Sequence, residues 1–165
     1  MSNIHNVIAD YITALTMYDE CITIIEFGND DGRLFEYVAS DDVCYMGISQ
    51  SNDVDRLLEE YPDALFVSGN YNDDELLCSL PRLADVAVCI NKLQNELHPT
   101  TLINNLIAST VSGGHVIITV PNGEHDDSLH CWTQSELVDF LRPFGLMDCF
   151  TCCNDVFLIA GLDIT

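Results

Sequence analysis

Ile24-Ile25-Glu26-Phe27-Gly28-Asn29-Asp30-Asp31-Gly32-Arg33-Leu34 decides how this chain is read. An apolar, β-branched run ends in an acid. A glycine follows, three polar residues intervene, and a second glycine opens an amphipathic segment, Arg33 to Val38. The pattern predicts a strand, a tight turn and the start of a helix. Gly28 and Gly32 tolerate positive φ, and they admit a ligand to the backbone where a side chain would clash. Backbone N–H groups at such a turn suit a polar or anionic ligand. Glycine turns after strands are common, so the weight of this one comes from the elements around it.

On its amino side, Ile4, Val7, Ile8, Tyr11, Ile12 and Leu15 recur at helical spacing. Cys21 to Phe27 is the first expected strand. On the carboxyl side the alternation continues. Strands are expected at Val43 to Ile48, Ala64 to Val67, Val86 to Ile90 and His115 to Val120. Helices are expected at Asn52 to Tyr61, Asp74 to Leu80 and Pro99 to Val111, the last ended by Gly113-Gly114. A polar loop, Pro121 to Trp132, leads to the capping box Thr133-x-x-Glu136 and a helix to about Leu141. Met147 to Cys152 and Val156 to Ile159 close the chain as two strands. Such alternation predicts one domain over 1–165. Its expected fold is a doubly wound α/β/α sandwich, a mostly parallel seven-stranded sheet with an antiparallel C-terminal strand. Ligands in such folds bind at the carboxyl ends of the strands, near the switch point.

The 165 residues carry 27 acids against one Lys and four Arg, a formal net charge of -22. Phosphate neutralisation needs cations, so direct nucleic-acid binding is not expected. The acids fall in pairs such as Asp41-Asp42, Glu59-Glu60 and Asp73-Asp74 rather than in one block. They read as solubility or adaptation to high salt, or as a surface that docks a basic partner. Eight cysteines suit a high-salt protein less well. No signal-peptide pattern or membrane-length apolar run is present, so a soluble, cytoplasmic protein without membrane contact is expected. Reduced, buried cysteines are the default there. Cys149-x-x-Cys152-Cys153 has no second ligand pair at standard spacing, so no metal is expected.

The order of these segments resembles the class I S-adenosylmethionine-dependent methyltransferase domain, over about Cys21 to Ala160. The acid and glycine turn after the first strand match Glu26 to Gly32. The second strand resembles Tyr45-Met46-Gly47-Ile48, the third Ala64-Leu65-Phe66-Val67-Ser68-Gly69 and the fourth Asp85-Val86-Ala87-Val88-Cys89. Gly113-Gly114-His115-Val116-Ile117-Ile118 resembles the approach to the fifth. Val120-Pro121-Asn122, His130-Cys131-Trp132-Thr133 and Phe144-Gly145-Leu146 look like the branch that acts on small molecules.

The resemblance implies S-adenosylmethionine as cofactor, contacted by Glu26, Gly28, Asp30, Gly32, Ser49, Asn70 and Asn91. Its methionine end would lie over Gly28 to Gly32, its ribose near Ser49 and its adenine beside Asn70. His125 and His130, in the loop after the fifth strand, are the candidate bases. Three departures bear on this. Asp30 replaces the middle glycine. Ser49 stands where a ribose-binding acid is expected, and a hydroxyl cannot give the paired charge-assisted bonds of a carboxylate. Asn70 replaces the acid near adenine. Two functions follow: a methyltransferase for a small molecule or metabolite, or a catalytically inactive protein of that fold serving as an acidic binding or assembly partner. A nucleotide-binding enzyme of another Rossmann-like class is the third alternative.

Overall fold

The computed structural model describes residues 3–29, 31–124 and 127–165. Helix α1 (Ile4–Leu15) precedes strand β1 (Ile22–Phe27). The alternation then runs α2 (Arg33–Val38), β2 (Val43–Ser49), α3 (Val54–Glu60), β3 (Leu65–Ser68), α4 (Asp74–Ser79), β4 (Ala84–Ile90), α5 (Pro99–Ala108) and β5 (Thr110–Pro121). Helix α6 (Gln134–Leu141), β6 (Leu146–Cys152) and β7 (Phe157–Asp163) complete it. The seven strands are ordered β3-β2-β1-β4-β5-β7-β6. Strand β7 lies antiparallel between β5 and β6, and the other described pairings are parallel. The doubly wound sandwich with an antiparallel C-terminal strand is therefore the observed fold.

Alternate strand residues feed two apolar layers. Ile24, Tyr45, Val86, Val88 and Ile117 pack with Ile4, Ile8 and Ile12 of α1, Leu34 of α2 and Leu57 of α3. Ile25, Met46, Ala87, Cys89, Val116 and Ile118 pack on the opposite face with Leu102 and Leu106 of α5 and Leu137 and Leu141 of α6. The interior strands are buried on both faces, which is why they read as continuous apolar runs.

One boundary differs from the sequence reading. Helix α5 stops at Ala108, and Gly113-Gly114 lies within β5. Ser109 Oγ donates to Asn105 O (2.9 Å) and Thr110 Oγ1 to Leu106 O (2.7 Å), hydroxyl bonds that accompany the end of the helix. Thr110 already pairs with Ala84, and the register then slips until His115 meets Val86. Gly113 takes a φ of +82°, and a Cβ on Gly114 would sit 2.7 Å from Asp85 O. The glycines make a bulge rather than a stop.

The capping box forms: the Thr133 hydroxyl and the Glu136 carboxylate satisfy each other's backbone N–H groups. All eight cysteines are free. The expectation that they are buried holds in full for Cys89 alone: Cys44, Cys149, Cys152 and Cys153 are half-buried, and Cys21, Cys78 and Cys131 are exposed. Burial pushes the Cys89 thiol up to about 12. No metal-binding cluster occurs, and no helix is long and apolar enough to cross a membrane, among the described residues.

Candidate functional site

The turn after β1 is organised by a buried polar network. Glu26 is 5% exposed, Asn29 1% and Tyr45 1%. The parallel register sets Glu26 against Gly47, so Tyr45, two residues earlier on β2, shares its face. The Tyr45 hydroxyl and Asn29 Nδ2 both donate to Glu26 Oε2, the latter at 2.9 Å. Asn29 Nδ2 also reaches Tyr45 Oη at 2.7 Å, and Asn29 Oδ1 accepts from Gly32 N at 2.7 Å. Burial and the adjacent Glu26 charge push the Tyr45 phenol well above its ordinary range, so it remains a donor. Gly28 and Gly32 have φ of +79° and +72°.

Asn29 and Tyr45 were not singled out by sequence reasoning. Asn29 sits inside the quoted stretch, yet its role depends on a tyrosine sixteen residues away on a neighbouring strand. The turn also differs from the expected N–H cradle. Gly28 N and Asn29 N both donate to Ile48 O, at 2.8 and 3.0 Å, and Arg33 N to Asp31 Oδ1 at 3.0 Å. What the turn offers a ligand is therefore the bare face of Gly28 rather than a row of donors.

That face borders a cleft of about 200 Å³ lined by His5, Glu26, Gly28, Asp31, Ile90, Asn91 and Lys92. It lies between the ends of β1 and β4, the switch point of the sheet. A larger cavity of about 450 Å³ beside α4 and α5 is lined by Leu77, Leu80, Leu83 and Asn105, away from these strand ends. It is space left by α4, which buries no residue fully. Asn91 turns the chain at the end of β4 with a φ of 51°. Its N–H donates to Thr119 O (3.0 Å), and Thr119 Oγ1 donates to Asn91 Oδ1 (3.2 Å). His5 reaches the cleft from α1, and burial lowers its imidazole below the ordinary 6.5.

The residues expected at the ribose and adenine are arranged differently. Ser49 is fully buried, and its Oγ is 2.8 Å from Ser51 Oγ and accepts from Ser51 N at 3.1 Å. Asn70 is exposed, and its Oδ1 accepts from Asn72 N (2.9 Å) and Gln50 Nε2 (3.2 Å). Between them and β4, Glu96 ties the loops together. It accepts from Tyr71 Oη at 2.5 Å and from Asn72 Nδ2 at 3.0 Å. Tyr71 in turn stacks on Phe27 with centroids 5.9 Å apart.

Of the two candidate bases, His130 is pinned to this clasp. Its N–H donates to Gln94 O and its Nε2 to Glu96 O, both at 2.9 Å. A carbonyl only accepts, so Nε2 carries a proton. Asp30 and His125 lie outside the described residues. The structure thus brings Glu26, Gly28 and Asn91 to one cleft, with Gly32 in the same turn. Ser49 and Asn70 are held in turns of their own.

No protein-family model matches the sequence, and no curated protein matches it. Solved structures do. The chain is similar to the N-methyltransferase NodS from Bradyrhizobium japonicum WM9, with a TM-score of 0.74 and 13% identity over 99% of this chain and 98% of that one. It is similar to 1,6-didemethyltoxoflavin-N1-methyltransferase from Burkholderia thailandensis, solved with S-adenosylhomocysteine bound, at a TM-score of 0.76 and 16% identity, covering 98% and 78% of the two chains. It is also similar to the cyclase SpnF, at a TM-score of 0.71 and 18% identity, where 92% of this chain spans 61% of the cyclase. Identities this low speak to fold, and a fold shared with a cyclase hosts more than one chemistry. The chain has the class I S-adenosylmethionine-dependent methyltransferase fold.

Proposed function

We propose that this chain binds S-adenosylmethionine over the Gly28–Gly32 turn and transfers its methyl group to a small molecule held beneath segment 121–132, in the cytoplasm. The observation that carries this reading is the turn itself. Two left-handed glycines bound a turn fixed by the Glu26–Tyr45–Asn29 network, and the first of them, Gly28, lines a cleft at the β1/β4 switch point. When bound, the cofactor supplies an electrophilic methyl carbon, so the protein's task is alignment more than acid–base chemistry. Gly28 provides a surface without a side chain. His130, the described candidate base, is held in place by Nε2 donating to Glu96 O.

The ribose end fits the cofactor less well. A hydroxyl turned onto Ser51 replaces a charge-assisted contact worth roughly 1.5–3 kcal/mol. Binding on the order of tens of micromolar or weaker follows. The second reading, a non-catalytic protein whose acidic surface docks a basic partner, is favoured by the same serine and by the cleft's size. About 200 Å³ is below the roughly 300–1,000 Å³ of ordinary ligand pockets.

Calorimetry with S-adenosylmethionine and S-adenosylhomocysteine separates the two readings, followed by transfer of labelled methyl into a panel of small metabolites. Binding with transfer supports the first. No heat from either ligand, in the wild type or in Ser49→Asp, hands the case to the second.

A further inference from the structure

The bare face of Gly28 is covered from within the chain. A Cβ placed there would lie 2.8 Å from Lys92 Cε, 2.9 Å from Cγ and 3.2 Å from Cδ. The lysine stem therefore runs across this glycine in van der Waals contact. The backbone puts it there. Register pairs Phe27 with Cys89, so the ends of β1 and β4 lie side by side. Asn91, left-handed and anchored on Thr119, then turns the chain so that the next residue falls over Gly28. Each stem carbon excludes any other atom from the same surface, and a ligand lying on Gly28 needs that surface.

A lysine stem is well suited to be a movable cover. It packs its methylenes on apolar or bare backbone while its ammonium seeks polar surroundings, and its four torsions give it other positions to take. Lys92 is also the chain's single lysine.

We propose that Lys92 is a displaceable plug: its stem fills the face of Gly28, and an adenosyl thioether or sulfonium binds there only as the stem swings away. The inference rests on the reading of this turn as the cofactor seat.

Calorimetry with S-adenosylhomocysteine on wild type, Lys92→Ala and Lys92→Met tests it. Lys92→Ala removes the stem and is expected to bind about tenfold tighter, the equivalent of no longer re-exposing two buried methylenes. Lys92→Met keeps a stem of similar length and is expected to stay within about twofold of wild type. An amine-reactive label, read by peptide mass spectrometry, follows Lys92 directly, because no other lysine competes. Its labelling should accelerate when S-adenosylhomocysteine saturates the protein. Three results would each overturn the plug: equal affinity of wild type and Lys92→Ala, weaker binding by Lys92→Ala, or protection of Lys92 from the label by ligand. In all three the cofactor seat itself survives, and weaker binding would make Lys92 a carboxylate partner. Absence of binding by every variant at millimolar ligand removes the seat and the plug together.

Discussion

The carboxyl edge of the sheet has two ends held by different kinds of hydrogen bond. At the β1 end, Glu26, Asn29 and Tyr45 join two strands across sixteen and nineteen positions, in nearly complete burial. At the β2 and β3 end, Ser49 to Ser51 and Asn70 to Asn72 close turns of two residues. A buried network that spans strands is part of the core, because losing one member leaves others desolvated without partners. A turn closed within two residues constrains little else. The first end is thus tied to stability and resists change. The second can alter its chemistry at smaller cost to the fold.

The widest gap between the ends should appear in Asn29→Ala. It removes one donor to Glu26 and the acceptor of the Gly32 N–H, leaving Tyr45 bonded to Glu26, and a loss of about 2 kcal/mol is expected from urea unfolding. Asn70→Ala should cost under about 1 kcal/mol. Equal losses would erase the distinction. Gly28→Val comes next. A β-branched residue at φ +79°, pressed on the Lys92 stem, should cost about 2 kcal/mol and abolish S-adenosylhomocysteine binding. Ser49→Asp should leave stability nearly unchanged if its carboxylate reaches the cleft, and calorimetry should show about tenfold tighter binding. A pronounced drop in Tm instead would mean that the buried position traps the charge.

Two smaller effects concern the surface. Repulsion within a net charge of -22 is screened by salt, so the Tm should climb by a few degrees between low and molar salt. A flat curve would favour the acids as a partner-binding face. At the cleft, burial lowers the His5 imidazole below 6.5, so the folded state binds its proton less readily than the unfolded chain. His5 should contribute stability above pH 6.5 that fades as the pH falls toward its folded midpoint. An NMR titration with a midpoint at or above 6.5 would contradict this.

The alternation of elements was legible because each strand and helix carries its own period. Ile4, Ile8 and Ile12 line up on one helix face, and Ile24, Ile25 and Phe27 are buried on both sides of a strand. Gly113-Gly114 misled because glycine pairs end helices as readily as they form bulges. Here the outcome is set by Asp85 and by Ile164, whose carbonyl accepts from Gly113 N, fifty-one residues away. The site shows the same divide. Glu26, Gly28 and Gly32 are visible as local spacing. Tyr45 and Lys92 acquire their roles only once β1 lies between β2 and β4. Ser49 was visible as a departure from pattern, but its inward turn onto Ser51 was not.

The placement of β7 bears on how the chain is made. Among the described residues, strand β6 has β7 as its only neighbour in the sheet, and β5 meets no strand on that side until β7 arrives. On the ribosome, the apolar rim from Val116 to Val120 therefore emerges and waits, with its edge open, while some forty more residues are translated. Open apolar edges recruit other chains. The interval between synthesis of β5 and synthesis of β7 is thus a period of aggregation hazard, and a nascent chain halted within it is where a ribosome-bound chaperone would be expected to engage.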